Sequence, residues 1–297
     1  MISSARPWVV VPAPSRLGLS ADTRRSLPRA LLDAGLAKAL GADVAPTVPA
    51  PARRPGRDAV TGLLNGPALA QHTRLLADAV ARACAHGAPL VLTGDCSGLL
   101  GPMVALRRLG RYGLLHLDGH ADFCDPSDEP NGEAASLELA LVTGRGPSGL
   151  IDLGGLAPYV RDDDSAHLGY RVEDDGTDIF RGTHITDTAI CVQSLSDLRR
   201  RGIAAATEWA LRTVTASDLD GFWLHLDCDV LDDTVMYAVD WRSPGGLRLD
   251  ELRHVLIAAH ASGRLAGMSV AIYNPDLDPG ERLAVLLAGL LSSALAS

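Results

Sequence analysis

The sequence predicts an α/β protein built on a mainly parallel sheet with helices over both faces, and three observations carry that expectation. Short apolar runs bounded by Gly, Pro and Asp alternate with longer helix-patterned stretches along the whole chain. The apolar runs are near-continuous instead of alternating in polarity, as strands buried on both sides require. The alternation shows no repeat at a fixed short period. With 297 residues the chain lies near the upper limit for a single hydrophobic core, and no linker-like segment divides it, so one domain over 1–297 is expected.

In chain order, strands are expected at 8–13 (WVVVPA), 89–94 (PLVLTG), 112–118 (YGLLHLD), 165–171 (SAHLGYR), 188–193 (TAICVQ), 222–229 (FWLHLDCD) and 267–273 (GMSVAIY). Helices are expected near 24–40, 67–87, 97–109, 134–144, 195–201, 203–212, 248–262 and 279–296. The segment 45–57 (APTVPAPARRPGR) reads as a surface loop, because Pro neither donates to a ladder nor continues a helix. The acidic stretches 125–133 and 161–178 read as loops surrounding a site above the sheet.

Composition narrows the partners. Hydrophobic residues make up 47% of the chain and charged ones 21%, which suits a protein with a sizeable core. A net charge of −9 has the wrong sign for nucleic acid binding, and clustered Asp residues point instead to bound cations. The N-terminus lacks the charged start and long apolar core of a signal peptide, so a cytoplasmic protein is expected. No uncharged apolar stretch reaches the ~18 residues of a membrane span, and LAVLLAGLLSSALAS reads as a buried helix. Five Cys residues (84, 96, 124, 191 and 228) without C-x-x-C spacing suit a reducing compartment and argue against a disulfide framework.

Two acidic motifs carry the chemistry. In LLHLDGHADF an apolar strand runs into Asp118, His120 and Asp122, spaced so that an extended backbone projects all three to one side. A lone Asp is ordinarily a solvated loop residue, but three ligand types directly after a buried strand are not. In FWLHLDCDVLD a second strand runs into Asp227 and Asp229, two carboxylates that repel one another unless a cation or proton lies between them. Together they form an oxygen-rich set suited to Mn²⁺ or a similar divalent ion, and two ions with shared carboxylates account for the ligand count. Two neighbouring ions lower the pKa of a water between them, so hydroxide can attack an sp² carbon near neutral pH. The sequence has no G-x-S-x-G elbow, no P-loop and no G-x-G-x-x-G opening a helix after a strand.

GDCS (94–97), DGHAD (118–122) and HLDCDVLD (225–232) resemble, in order and spacing, the three metal motifs of the arginase/agmatinase (ureohydrolase) family. GYRVEDDG (169–176) is similar to that family's substrate loop and YNPDLD (273–278) to its last strand. The resemblance, from about 8 to 290, implies a three-layer α/β/α fold around an eight-stranded sheet, assembled as homo-trimers or hexamers. It implies that Asp118 and Asp227 bridge the two ions, that Cys96 and Asp122 complete one site and His120 and Asp229 the other, and that Asp174 meets the substrate's α-amino group. The implied reaction is hydrolysis of a small guanidino or amidine compound.

Three positions depart from the family pattern. Cys96 stands where a His ligand is usual, so weaker or more selective Mn²⁺ binding is expected, with Zn²⁺, Fe²⁺ or Co²⁺ as competitors. A Cys there also resembles an arginase-like branch that hydrolyses N-hydroxy-L-arginine to hydroxyurea and ornithine. Ile272 stands where arginases carry an acid for the guanidinium, which makes plain arginine a doubtful substrate unless Asp276 or Asp278 substitutes. Asn131 replaces the His that serves as proton shuttle, leaving Asp122, Glu133 or water to protonate the leaving group. His116 and His225 read as core histidines, with His225 a candidate support for the ligands. His184 lies in a loop that could reach substrate. Two other readings stay open: an inactive or regulatory protein of this fold, and a deacetylase-like amide hydrolase with one Zn²⁺.

Overall fold

The computed structural model describes residues 6–54, 56–171 and 183–296. The strands are β1 (Trp8–Ala13), β2 (Asp43–Val44), β3 (Ala88–Thr93), β4 (Gly113–Leu117), β5 (Ser165–Leu168), β6 (Cys191–Gln193), β7 (Phe222–Asp227) and β8 (Leu265–Ala271). They form one eight-stranded sheet in the order β2-β1-β3-β8-β7-β4-β5-β6, every pair parallel. The helices are α1 (Leu27–Asp33), α2 (Leu36–Leu40), α3 (Gly66–Cys84), α4 (Leu100–Leu109), α5 (Glu138–Val142), α6 (Ser148–Ile151), α7 (Leu195–Arg201), α8 (Ile203–Val214), α9 (Leu249–Ala261) and α10 (Arg282–Leu295).

Alternation along each strand divides the core into two layers. Val9, Val11, Leu114 and Trp223 face α3, α4, α5 and α6, while Val10, Leu115, Leu117 and Leu226 face α1, α2, α8, α9 and α10. The apolar C-terminal run is α10, packed with Leu283, Leu287 and Leu291 in the second layer. No described helix is long and apolar enough to cross a membrane.

Three differences from the expected elements stand out among several smaller shifts of element ends and an added short helix, α6. The eighth strand is the exposed pair Asp43–Val44, which joins the sheet edge beside Val9 and Val10 and is too short to show any apolar period. The stretch read as one helix over 24–40 is two, because Gly35 takes a left-handed φ of 86° between α1 and α2. Of the acidic loops, 125–133 reaches the site, but Asp162–Asp164 precedes β5 and so lies at the opposite, N-terminal edge of the sheet. There Asp162 pairs with Arg145 and Asp164 with Arg111.

Chain order and sheet order differ in a way that builds the site. β3 and β4 follow one another in sequence, but β8 and β7 fill the space between them. The four central strands therefore bring the segments containing Cys96, Ile272, Asp227 and Asp118 to one C-terminal edge, where open α/β sheets bind ligands.

Candidate metal centre

Each strand exit is shaped by its own hydrogen bonds. After β3, the buried Asp95 accepts from Ser97 N (2.9 Å), from the Ser97 hydroxyl and from Gly18 N (3.0 Å). These bonds cap the short 3₁₀ turn Cys96–Leu99, and Cys96 Sγ donates to Asp227 Oδ2 at 2.7 Å. Gly18 is required here, since a β-carbon would lie 2.6 Å from Asp95 Oδ1.

After β4 the extended backbone does not persist, contrary to the simple i, i+2, i+4 picture. The strand ends at Leu117, Asp118 Oδ1 accepts from His120 N at 2.7 Å, and Asp122 takes a positive φ of 44°. A turn, not a strand, makes Asp118, His120 and Asp122 converge, with ligand atoms within 4.8 Å of one another. After β7, Asp227 Oδ1 accepts from Asp229 N at 2.7 Å and caps the turn Cys228–Val230. Cys96, Asp118 and Asp227 form a second group within 4.8 Å, and Asp229 Oδ2 lies 3.1 Å from His120 Nδ1.

Electrostatics set the character of this edge. Burial, reinforced by neighbouring carboxylates, pushes Asp118 and Asp227 well above the ordinary Asp range. Burial also pushes Asp122 up to about 6, against the opposing pull of His120. Although burial opposes it, Asp229 and Asp118 hold the His120 imidazolium well above its usual range. Asp118 Oδ2 and His120 Nε2 are buried without hydrogen-bond partners among the described residues. Clustered carboxylates beside unpaired donor atoms fit divalent cations, which compensate the charge and accept those lone pairs.

Above these groups opens a pocket of about 530 Å³ with His120, Asp122, Asp227 and Asp229 on its floor. Asn131, Glu133, Ile272 and the exposed His184 line its walls. Ser20 N donates to Glu133 Oε1 at 2.6 Å. Ile272 sits at φ 72°, left-handed backbone that a β-branched residue rarely adopts, so strain is held at the pocket wall. Asp276 is not brought to the pocket: it is exposed and accepts from Arg24 N and Arg25 N. Asp278 is buried at the start of α10, taking Tyr273 Oη and the Leu283 and Ala284 amides. Asp174 lies outside the described residues.

Sequence reasoning passed over three residues that the structure places in or under the site. Glu138 on α5 is fully buried, and Nε2 of His116 lies 3.0 Å from its Oε1; the signal was a lone charge inside the apolar run LELALV. Asp240 lines the pocket and accepts from Arg16 Nη2 (2.8 Å) and Asn274 Nδ2 (3.0 Å), with no local motif to announce it. Arg171 is buried and donates through Nη2 to the carbonyls of Asp229 and Leu231, while its amide donates to Gly119 O.

Gly119 is the hinge of that brace. A β-carbon there would meet the Arg171 guanidinium and lie 2.9 Å from both Asp229 O and Oδ1. Gly119→Ala is expected to weaken cation binding about tenfold or more by displacing Asp229, as disturbed support of a ligand does. Calorimetric titration with Mn²⁺ checks this, and unchanged affinity would refute it.

Comparisons with known proteins agree with this fold. A sequence profile described as the Arginase family matches residues 11–296. The arginase of Staphylococcus aureus (strain COL) is 28% identical over 206 residues, 69% of this chain and 66% of that protein, so the match falls just short of two thirds of the relative's length. In three dimensions the chain resembles the arginase of Bacillus caldovelox, with a TM-score of 0.86 at 22% identity over 98% of this chain and 99% of the other. It also resembles the formimidoylglutamase of Bacillus subtilis, with a TM-score of 0.74 at 16% identity over 99% and 88% of the two chains.

Proposed function

Because the chain belongs to the arginase family, we propose that it is a metal-dependent hydrolase cleaving a C–N bond of a small guanidino, N-hydroxyguanidino or amidine compound. One observation carries this reading: five oxygen and nitrogen donor residues from two strand exits converge beneath a pocket of substrate size, with unpaired donor atoms among them. In the reading, two divalent ions would be held by these residues, with Asp118 and Asp227 available to both, His120 and Asp229 to one, and Asp122 and Cys96 to the other. Mn²⁺ suits the carboxylates, while the thiol of Cys96 favours Zn²⁺, Fe²⁺ or Co²⁺. Such ions, when bound, supply the positive charge that makes water nucleophilic near neutral pH and stabilises the addition at an sp² carbon.

The chain's own residues would orient the substrate and manage the proton. Asn131 has no proton to exchange near neutral pH, so its part is to hydrogen-bond the substrate, with Asp122 or Glu133 protonating the leaving amine. Ile272 offers no charge to a guanidinium. Of the other acids that line the pocket, Asp240 already pairs with Arg16 and Glu133 accepts from the Ser20 amide. A less basic N-hydroxyguanidine or amidine fits this wall better than arginine, and conversion of N-hydroxy-L-arginine to hydroxyurea and ornithine is the specific reaction proposed.

The test is incubation of Mn²⁺-loaded protein with arginine, N-hydroxy-L-arginine, agmatine, 4-guanidinobutyrate and formimidoylglutamate, with urea, hydroxyurea, formamide and amine measured. Turnover of none, with metal bound, would overturn the reading. Ile272→Glu is expected to shift preference toward arginine by about tenfold to a hundredfold, the value of ~1.5–3 kcal/mol for a charged hydrogen bond. Competition between arginine and N-hydroxy-L-arginine measures this, and an unchanged ratio would show that position 272 does not face the guanidine. A homo-trimer or hexamer is part of the same reading and is tested by light scattering.

A further inference from the structure

One layer below the pocket floor lies a second set of donors that the D-x-H-x-D and D-x-D motifs do not use. Cys96 Sγ, one carboxylate oxygen of Glu138 and one ring nitrogen of His225 lie within 4.8 Å of one another. All three residues are fully buried. Glu138 Oε2 and His225 Nε2 have no hydrogen-bond partner counted among the described residues, and the Asp122 carboxyl lies beside that of Glu138, so both lone pairs are costly to bury unless something positive binds there.

The surrounding contacts hold these donors in position. Strand register sets His167, His116, His225 and Ser269 side by side across β5, β4, β7 and β8. The Trp223 indole donates to Ser269 Oγ at 2.9 Å, and His225 Nδ1 lies 2.7 Å from the same oxygen. With its proton on Nδ1, His225 donates to that oxygen and keeps a lone pair on Nε2. On the carboxylate side, His116 Nε2 is 3.0 Å from Glu138 Oε1, and His116 Nδ1 is 2.9 Å from His167 Nδ1. A His167 N–H to His116 and a His116 N–H to Glu138 use the facing atoms of this row, leaving His167 Nε2 without a partner among the described residues and Glu138 Oε2 open to coordinate. Ligating histidines and carboxylates are ordinarily tethered in this way.

We propose that Cys96, Glu138 and His225 hold a thiophilic divalent cation of the zinc class, with Asp118 or Asp227, which lie within 4.8 Å of Cys96 Sγ, as the fourth donor. The thiol proton that Cys96 shares with Asp227 Oδ2 leaves to solvent as the cation binds. Donors at ~2.0–2.3 Å from the ion require only a modest contraction of the present cluster. Glu138 and His225 thus join the Cys96 side of the centre, while His120 and Asp229 stay with a harder, oxygen-preferring ion, so the two positions differ in chemistry. The inference rests on this sheet edge being a metal centre and not on the identity of the substrate.

The test uses the whole chain, stripped with a chelator and reloaded with a single equivalent of Zn²⁺ or Co²⁺. X-ray absorption is expected to show sulfur and imidazole on the same Zn²⁺, and Co²⁺ is expected to give a thiolate charge-transfer band. Glu138→Gln and His225→Gln should each weaken this ion's binding by more than ~100-fold, beyond the usual effect of a supporting contact. Both should spare the affinity for a second equivalent, which also reports that the variants fold. A native spectrum with sulfur but no imidazole, one with no sulfur at all, or native affinity in both variants overturns the proposal while leaving the wider metal centre standing. Failure of the native protein to bind any divalent cation overturns both. The spectrum of the native protein needs no variant.

Discussion

Replacing Asp118 with asparagine is expected to have two effects of opposite sign: turnover falls by at least ~10³, while the chelator-treated protein becomes more stable. Asp118 supplies an atom to three groups of candidate ligands, with Cys96 and Asp227, with His116 and Glu138, and with His120 and Asp122. Losing a carboxylate proposed to serve both ions would remove charge compensation worth several kcal/mol in the transition state, and ~4 kcal/mol corresponds to about a thousandfold. Without a cation the same carboxylate is a liability, because it is fully buried and Asp122 and Asp229 repel its charge. An amide keeps the bond from His120 N and removes the repulsion. Metal content, rate and urea unfolding of the stripped protein check the pair of effects. A variant with native metal content and rate would show that Asp118 is not a ligand.

The second large effect concerns pH and metal together. In metal-free protein, burial and mutual repulsion raise Asp118, Asp227 and Glu138 well above their ordinary values and Asp122 from 3.8 to about 6. A carboxyl raised by folding binds its proton more tightly in the folded state. Its contribution is therefore complete below the unfolded pKa and is lost as pH rises through the folded one. For Asp122 the window runs from 3.8 to about 6. The rise is worth about 3 kcal/mol, and partial exposure of the residue reduces this to on the order of 1–2 kcal/mol. Stripped protein should thus melt at progressively lower temperature as pH rises through that window. Metal-loaded protein should behave in the reverse manner, because ligands must lose their protons to bind. Thermal unfolding with and without chelator measures both curves, and parallel curves would contradict the account.

How much could be read from the chain follows from which interactions are local. The strands that carry the ligands are continuous apolar runs ending in Asp, so β4, β7 and their carboxylates were legible by position. The convergence of Asp118, His120 and Asp122 was legible as well, although by the wrong geometry, because a positive φ at Asp122 is not announced by residue type. Glu138 was missed because His116 is 22 residues away on β4, and Cys96 and His225 lie farther still, on the turn after β3 and on β7, so only tertiary packing turns a helix charge inward. Asp240 was missed for the same reason, since Arg16 lies 224 residues before it. Asp276 and Asp278 could be proposed from spacing alone, but spacing does not reveal that backbone amides take up both carboxylates.

Ile272 carries a further consequence. The left-handed turn there lies where β8 leaves the sheet, between Ala271, paired with Asp227, and Tyr273, whose amide bonds Ala271 O. The conformation is thus imposed by the strand exit, and residues other than glycine, asparagine and aspartate at this position also pay a penalty, largest for a β-branched side chain such as this one. A lineage could therefore exchange the side chain at this wall without renegotiating the backbone. The repertoire of accepted molecules can then drift while the ion-holding residues stay as they are.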